Sequence, residues 1–157
     1  MKTRILQLLG VAAIATLGMT SCDTDACQDV TCNNGGICVD GDCVCATGYE
    51  GADCSTLVRT AFIGSVNVNE TCSQSTDSYA VTIAAGATDT EVTISNLYDA
   101  GLVATGTVNA NGGITIDNQA FGTGTISGSV TENGGVLTFN FTLAVGGQSD
   151  TCTAVSQ

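Results

Sequence analysis

The chain has 157 residues, of which 11% are charged and 4% aromatic, with nine cysteines, 20 glycines and no histidine, tryptophan or proline. Its net charge is -12 and its bases are Lys2, Arg4 and Arg59, too few to neutralise a nucleic-acid backbone, so nucleic-acid binding is excluded. Without histidine, nucleophilic triads lack their usual base, and acid-base work falls to carboxylates and tyrosines.

The N-terminal "MKTR" is basic, and "ILQLLGVAAIATLGM" is an apolar run of 15 residues followed by small side chains. This three-part layout predicts a secretory signal over residues 1–21. A membrane-spanning helix needs about 20 apolar residues and a different flank. The ending "LGMTSC" resembles a bacterial lipobox, with Met19 where leucine is usual and Ser21 where glycine or alanine is usual. The resemblance implies cleavage before Cys22 and acylation of its thiol, and each buried methylene of such a lipid contributes about 0.8 kcal/mol to membrane attachment. Nine is an odd number, so one cysteine stands outside any set of internal disulfides, and Cys22 is the one expected to do so. Removal of the signal leaves 15 acids against Arg59, a net side-chain charge of 1 minus 15, or -14. Residues 22–26 are then expected to form a lipidated tether, whose Asp23 and Asp25 read as a sorting signal for the inner membrane or the outer surface, as weak calcium ligands or as plain tether. The expected location is the bacterial cell envelope, anchored in the outer membrane and facing the surface.

Residues 27–54, "CQDVTCNNGGICVDGDCVCATGYEGADC", space six cysteines as C-x4-C-x5-C-x4-C-x-C-x8-C. Spacing alone does not choose among the pairings open to six cysteines. A zinc site is disfavoured because there is no histidine and no C-x2-C knuckle. The segment resembles the EGF-like family, down to "NNGGIC" and the closing "CVCATGYEGADC" with its Gly48-Tyr49 pair. That resemblance implies the pairs Cys27–Cys38, Cys32–Cys43 and Cys45–Cys54. Bridges would stand in for a core that so short a segment cannot build, and they require an oxidising compartment. Some EGF-like domains bind calcium, for which Asp23, Asp25 and Asp40 are weak candidates. Ala26 stands where the family has Glu or Gln and the aromatic is missing, so no cofactor is expected and these carboxylates read as solvated turn residues.

Residues 55–60 read as a linker and 61–157 as an antiparallel β-domain. "FIGSVNVNETC" places Phe62, Gly64, Val66, Val68 and Cys72 on one face at a period of two, and Glu70 falls on that same face, which predicts a bulge or the open end of the sheet. The habit returns at Tyr79, Val81 and Ile83, at Val92 and Ile94, at Ile114 and Ile116, at Ile126, Gly128 and Val130, and from Leu137 through Phe139, Phe141 and Leu143 to Val145. "VNANGGIT" and "VTENGGVL" read as hairpins turning at Asn-Gly. The fold class expected is mainly β: a small disulfide-rich EGF-like module plus a barrel or sandwich of about eight strands, with Cys72 bridged to Cys152 across its first and last strands. The layout loosely resembles lipocalin-like barrels, which implies a cavity for a small apolar ligand. The inward residues are more readily read as a filled core.

The function expected is a lipid-anchored, non-catalytic binding or adhesion module with a protein or glycan partner. The alternative is a lipocalin-like carrier. A remoter alternative, a carboxylate glycosidase, would draw its acids from Asp77, Asp89, Asp99, Asp117 and Glu132 and would need two of them facing one cleft.

Overall fold

A computed structural model describes residues 25–157, so the expected signal peptide, Cys22 and Asp23 lie outside the described residues. The chain is mainly β, with a disulfide-rich EGF-like module followed by a closed eight-stranded antiparallel barrel. In the module, β1 (Ile37–Val39) and β2 (Asp42–Val44) form a hairpin that turns at Asp40 and Gly41, both at positive φ. A second pair joins β3 (Tyr49–Glu50) to β4 (Thr56–Leu57). Disulfides link Cys27 to Cys38, Cys32 to Cys43 and Cys45 to Cys54. Cys54 is fully buried while Ile37, Val39 and Val44 are exposed, so the sulfurs form the centre of the module and its aliphatic residues face water.

The segment read as a linker is ordered into the architecture. Residues 56–57 are β4, and a 3-10 turn over Val58–Ala61 follows directly. Phe62 therefore precedes the first barrel strand rather than belonging to it, and its ring is buried in the barrel core together with Val58.

The barrel runs through β5 (Gly64–Cys72), β6 (Thr76–Ala85), β7 (Glu91–Leu97), β8 (Leu102–Val108), β9 (Ile114–Phe121), β10 (Gly124–Asn133), β11 (Val136–Val145) and β12 (Gln148–Ser156). Each strand pairs with the next in sequence, and β12 returns to pair with β5. Closure gives every barrel strand two neighbours, which limits exposed edges to the one seam, between β8 and β9, where pairing is short. Inward positions alternate with outward Thr, Asn and Ser, as the period of two requires. The interior is filled by Phe139, Phe141, Ile83, Ile94, Ile114 and Ile126 against the small residues Ala104, Gly106, Gly128 and Ala154, the large-to-small alternation by which a narrow barrel packs its taper. Gly128 is obligatory in this packing, because a Cβ there would lie 2.2 Å from the Asn140 carbonyl oxygen and 2.7 Å from Phe141 Cα.

Several local expectations change. Val145 is 47% exposed and sits at the rim, past the core that ends at Leu143. The ladders on both sides of Glu70 are uninterrupted, so β5 has no bulge there, and Glu70 instead lies two residues from the end of its strand. The two Asn-Gly-Gly stretches turn differently. Asn133 pairs with Val136, which makes Gly134 and Gly135, both at positive φ, the turn residues. The other stretch is a longer loop in which the Asn109 N–H donates to the Gly113 carbonyl. In each case glycine, which has no Cβ penalty at positive φ, takes the turn position in preference to asparagine.

The barrel has two unlike ends. At one, here the foot, lie the 3-10 turn, the β6–β7 loop (86–90), the β8–β9 loop (109–113) and the β10–β11 turn (134–135). The EGF-like module meets the barrel at this foot. The Arg59 guanidinium donates to the carbonyls of Thr88 and Glu91 and pairs with Asp89 at 3.5 Å, and the Tyr49 hydroxyl donates to the same Asp89 at 2.7 Å. Gly48, at φ 95°, allows the close approach: a Cβ would meet the Thr90 methyl at 2.5 Å. The opposite end is the mouth.

Candidate binding site

Four connections surround the mouth: residues 73–75, 98–101, 122–123 and 146–147. Inside them is a cavity of about 560 Å3. Its apolar wall comes from Leu102, Phe121, Leu143 and Val145, which lie at or near the mouth ends of three strands. Tyr98 and Asp150 supply the principal polar groups, with Gln74 and Gln148 at the rim. A volume of this size falls within the range of about 300–1,000 Å3 typical of small-molecule sites.

The wall opens here because β8 and β9 barely pair. Their ladder is limited to Thr107 with Thr115 and Val108 with Ile114, at the foot. Nearer the mouth the Gln119 side chain substitutes for a strand: its amide donates to the Thr105 carbonyl at 2.7 Å and its oxygen accepts from the Thr105 N–H at 2.9 Å. A register shift in β9, opposite Ile126 and Gly128 of β10, brings Gln119 to that position.

A chain of hydrogen bonds ties the mouth together. The Tyr79 hydroxyl donates to the Glu70 carboxylate and accepts from the Tyr98 N–H at 2.9 Å. The Tyr98 hydroxyl donates to Asp150 Oδ2 at 3.0 Å, and the Ser73 N–H donates to Asp150 Oδ1 at 2.9 Å. Tyr98 holds φ 61°, Asp99 φ 45° and Asn96 φ 66°, left-handed conformations that cost energy in residues with side chains and that the surrounding bonds maintain. Glu70 is 4% exposed. Burial raises its pKa; the Tyr79 hydrogen bond opposes this, and the negative charges of Asp77, Asp150 and Asp99 add to the rise. The other carboxylate oxygen lies 3.3 Å from Cys72 Sγ, which is bonded to Cys152 and so has no proton to donate. Burial and the bond to Glu70 push the Tyr79 hydroxyl far above its ordinary value. Partial burial works to raise the Asp150 pKa, but the bonds from Ser73, Tyr98 and Thr151 outweigh it and hold the carboxyl below the ordinary aspartate value.

The other candidate residues are dispersed. Asp25 accepts from the Cys27 N–H at 3.0 Å in a local turn, and Asp40 sits in the β1–β2 turn. Among the described residues, the one acid-and-thiol group close enough to share an ion is Glu70, Cys72 and Cys152, and its two sulfurs are joined in a disulfide. Asp77 is the second residue of β6 and Asp99 lies in the β7–β8 loop, both toward the mouth, whereas Asp89 and Glu132 are at the foot and Asp117 is on the outer face of β9. The residues not singled out from sequence are Tyr98 and Asp150. The signal available was the run of turn formers around "NLYDAG", which marks a loop without revealing that a tyrosine in it faces the barrel mouth.

No characterised protein and no solved structure matches the chain. Residues 22–54 match the family of EGF-like domains, which covers the N-terminal module and leaves the barrel unmatched.

Proposed function

We propose that this protein is a lipid-anchored, non-catalytic binding module of a bacterial cell envelope, tethered through Cys22 and offering the barrel mouth as its binding site. The observation that carries this reading is the polarity of the barrel. The EGF-like module, which connects to the N-terminal tether, packs at the foot, and the cavity opens at the opposite end. The lipobox-like "LGMTSC" supports the anchor, and the three disulfides support an oxidising location, with outer-membrane, surface-facing attachment the favoured form. The exposed Ile37, Val39 and Val44 of the module offer an additional contact surface for a protein or glycan partner. Among the described residues Asp150 is the one acid lining the cavity, and Asp89, Asp117 and Glu132 lie at the foot or on the outer face, which supports binding over glycoside hydrolysis, since that needs a facing pair. The cavity favours a second form of the same reading, in which the barrel carries a small ligand.

Fractionation of cells that express the Cys22→Ser variant tests the anchor. The variant is expected to leave the membrane pellet for the soluble fraction. Retention in the pellet at the wild-type level would show the anchor assignment to be wrong.

A further inference from the structure

We propose that the mouth cavity binds a small amphiphile with a cationic head, the head resting against the hydrogen-bonded Asp150–Tyr98 pair and the apolar body lying against Leu102, Phe121, Leu143 and Val145. This rests on the reading of the mouth as the binding end and adds the chemistry of the ligand.

The apolar wall selects an apolar body, since burial of such surface is favourable roughly in proportion to its area. Charge selects the head. Among the described residues no base lines the cavity, and Arg59 is held at the foot by Asp89. Asp77 and Asp99 lie close enough to the mouth to act on Glu70. A carboxylate or phosphate head would thus meet uncompensated negative charge in a partly desolvated site. A fully neutral ligand would cover the Asp150 carboxylate without neutralising it, which also costs energy. An ammonium-type head removes both penalties and gains the aromatic face of Tyr98.

The site is also pre-organised for such a head. Tyr98 is fixed at both ends, its hydroxyl on Asp150 and its N–H on Tyr79, in a left-handed conformation that an unconstrained tyrosine rarely holds. Ser73 fixes the other Asp150 oxygen. Groups already ordered lose little freedom when the ligand arrives.

The test uses the purified chain with Cys22 replaced by serine, so that no acyl chain of its own competes for the cavity. It is titrated calorimetrically with decyltrimethylammonium and, separately, with decanoate, both below their micellar concentrations. Decyltrimethylammonium is expected to bind, and decanoate to bind at least about tenfold more weakly. Asp150→Asn is expected to weaken decyltrimethylammonium binding about tenfold or more. Ala100→Trp, at an exposed loop position on the cavity wall, should abolish binding with an unchanged thermal midpoint, so that a folded variant reports even where Asp150→Asn disturbs its loop. Equal or tighter binding of decanoate that Ala100→Trp abolishes would overturn the cationic head and leave the mouth as the binding end. Failure of both probes to bind, or binding indifferent to both substitutions, would overturn the cavity as the site, whatever the outcome of the Cys22 fractionation.

Discussion

Tyr79 gives its hydroxyl proton to a hydrogen bond with Glu70, the one charged residue buried among the described residues, and so closes an interruption in the apolar face of β5. The same hydroxyl receives the Tyr98 N–H, so the buried carboxyl and the strained mouth loop are parts of one connected network.

This pairing makes stability depend on pH in a defined direction. The Glu70 pKa is raised above its ordinary value of 4.5 in the folded state, so the folded protein retains a proton that the unfolded chain has lost. The contribution is complete below 4.5 and declines as pH rises through the raised value. The depressed pKa values of Asp53 and Asp150 act in a separate window, below their ordinary 3.8, where stability is lost as pH falls. Glu70→Gln keeps the shape of the protonated form and removes the titration. Urea denaturation at pH 4.5 and at about pH 7 should show wild type losing stability at the higher pH, and the variant losing clearly less. An identical loss in both would assign the slope to other groups.

The Cys72–Cys152 bridge joins directly opposed residues of the strands that close the barrel, and its sequence separation is 80. Loop-closure entropy for a ring of that size predicts a loss of about 4.5 kcal/mol when both cysteines become alanine. Chemical denaturation of the double variant measures this directly. A loss under about 1 kcal/mol would mean that the eight-strand hydrogen-bond closure suffices alone.

Gly128→Ala should destabilise by about 1–3 kcal/mol, because the new methyl meets the backbone of Asn140 and Phe141, which cannot step aside as a flexible side chain would. The neighbouring Ser127→Ala should stay within about 0.5 kcal/mol. Equal effects would indicate that β10 relaxes away from β11.

Arg59→Ala removes the donor that ties two foot carbonyls and Asp89 to the 3-10 turn. The ion pair itself contributes little, since Asp89 is largely exposed. The hydrogen bonds to the two carbonyls carry the effect, about 1–2 kcal/mol. Amide exchange should accelerate at residues 88–91 and in the EGF-like module, with the mouth strands unchanged. A uniform acceleration would mean that module and barrel unfold as one unit.

The barrel was legible where large apolar residues alternate, above all from Leu137 to Leu143. It was least legible at β8, whose inward positions include Ala104 and Gly106, side chains too small to register as a hydrophobic face. The deviation of Glu70 from the pattern was visible, but its cause was not, because Tyr79 belongs to the next strand and the contact depends on register. The binding site was illegible for a related reason: its wall is assembled from the ends of strands far apart in sequence, and Tyr98 enters it through a backbone conformation that its residue type disfavours. The EGF-like module announced itself through cysteine spacing and the Gly48-Tyr49 ending. That Gly48 and Tyr49 also meet the barrel, at Thr90 and Asp89, could be learned from the assembled fold alone.

The most direct test of a barrel held by its foot is its orientation over a membrane. Lys2 is the sole lysine in the sequence and lies in the expected signal, so one introduced lysine gives a unique side-chain amine for a fluorophore. The lipidated protein, labelled at Gln148→Lys on the mouth or at Asn111→Lys on the foot, is reconstituted in vesicles that carry an energy-transfer acceptor in their headgroups. Lower transfer from position 148 than from position 111 is predicted. Equal transfer, or higher transfer from the mouth, would contradict it.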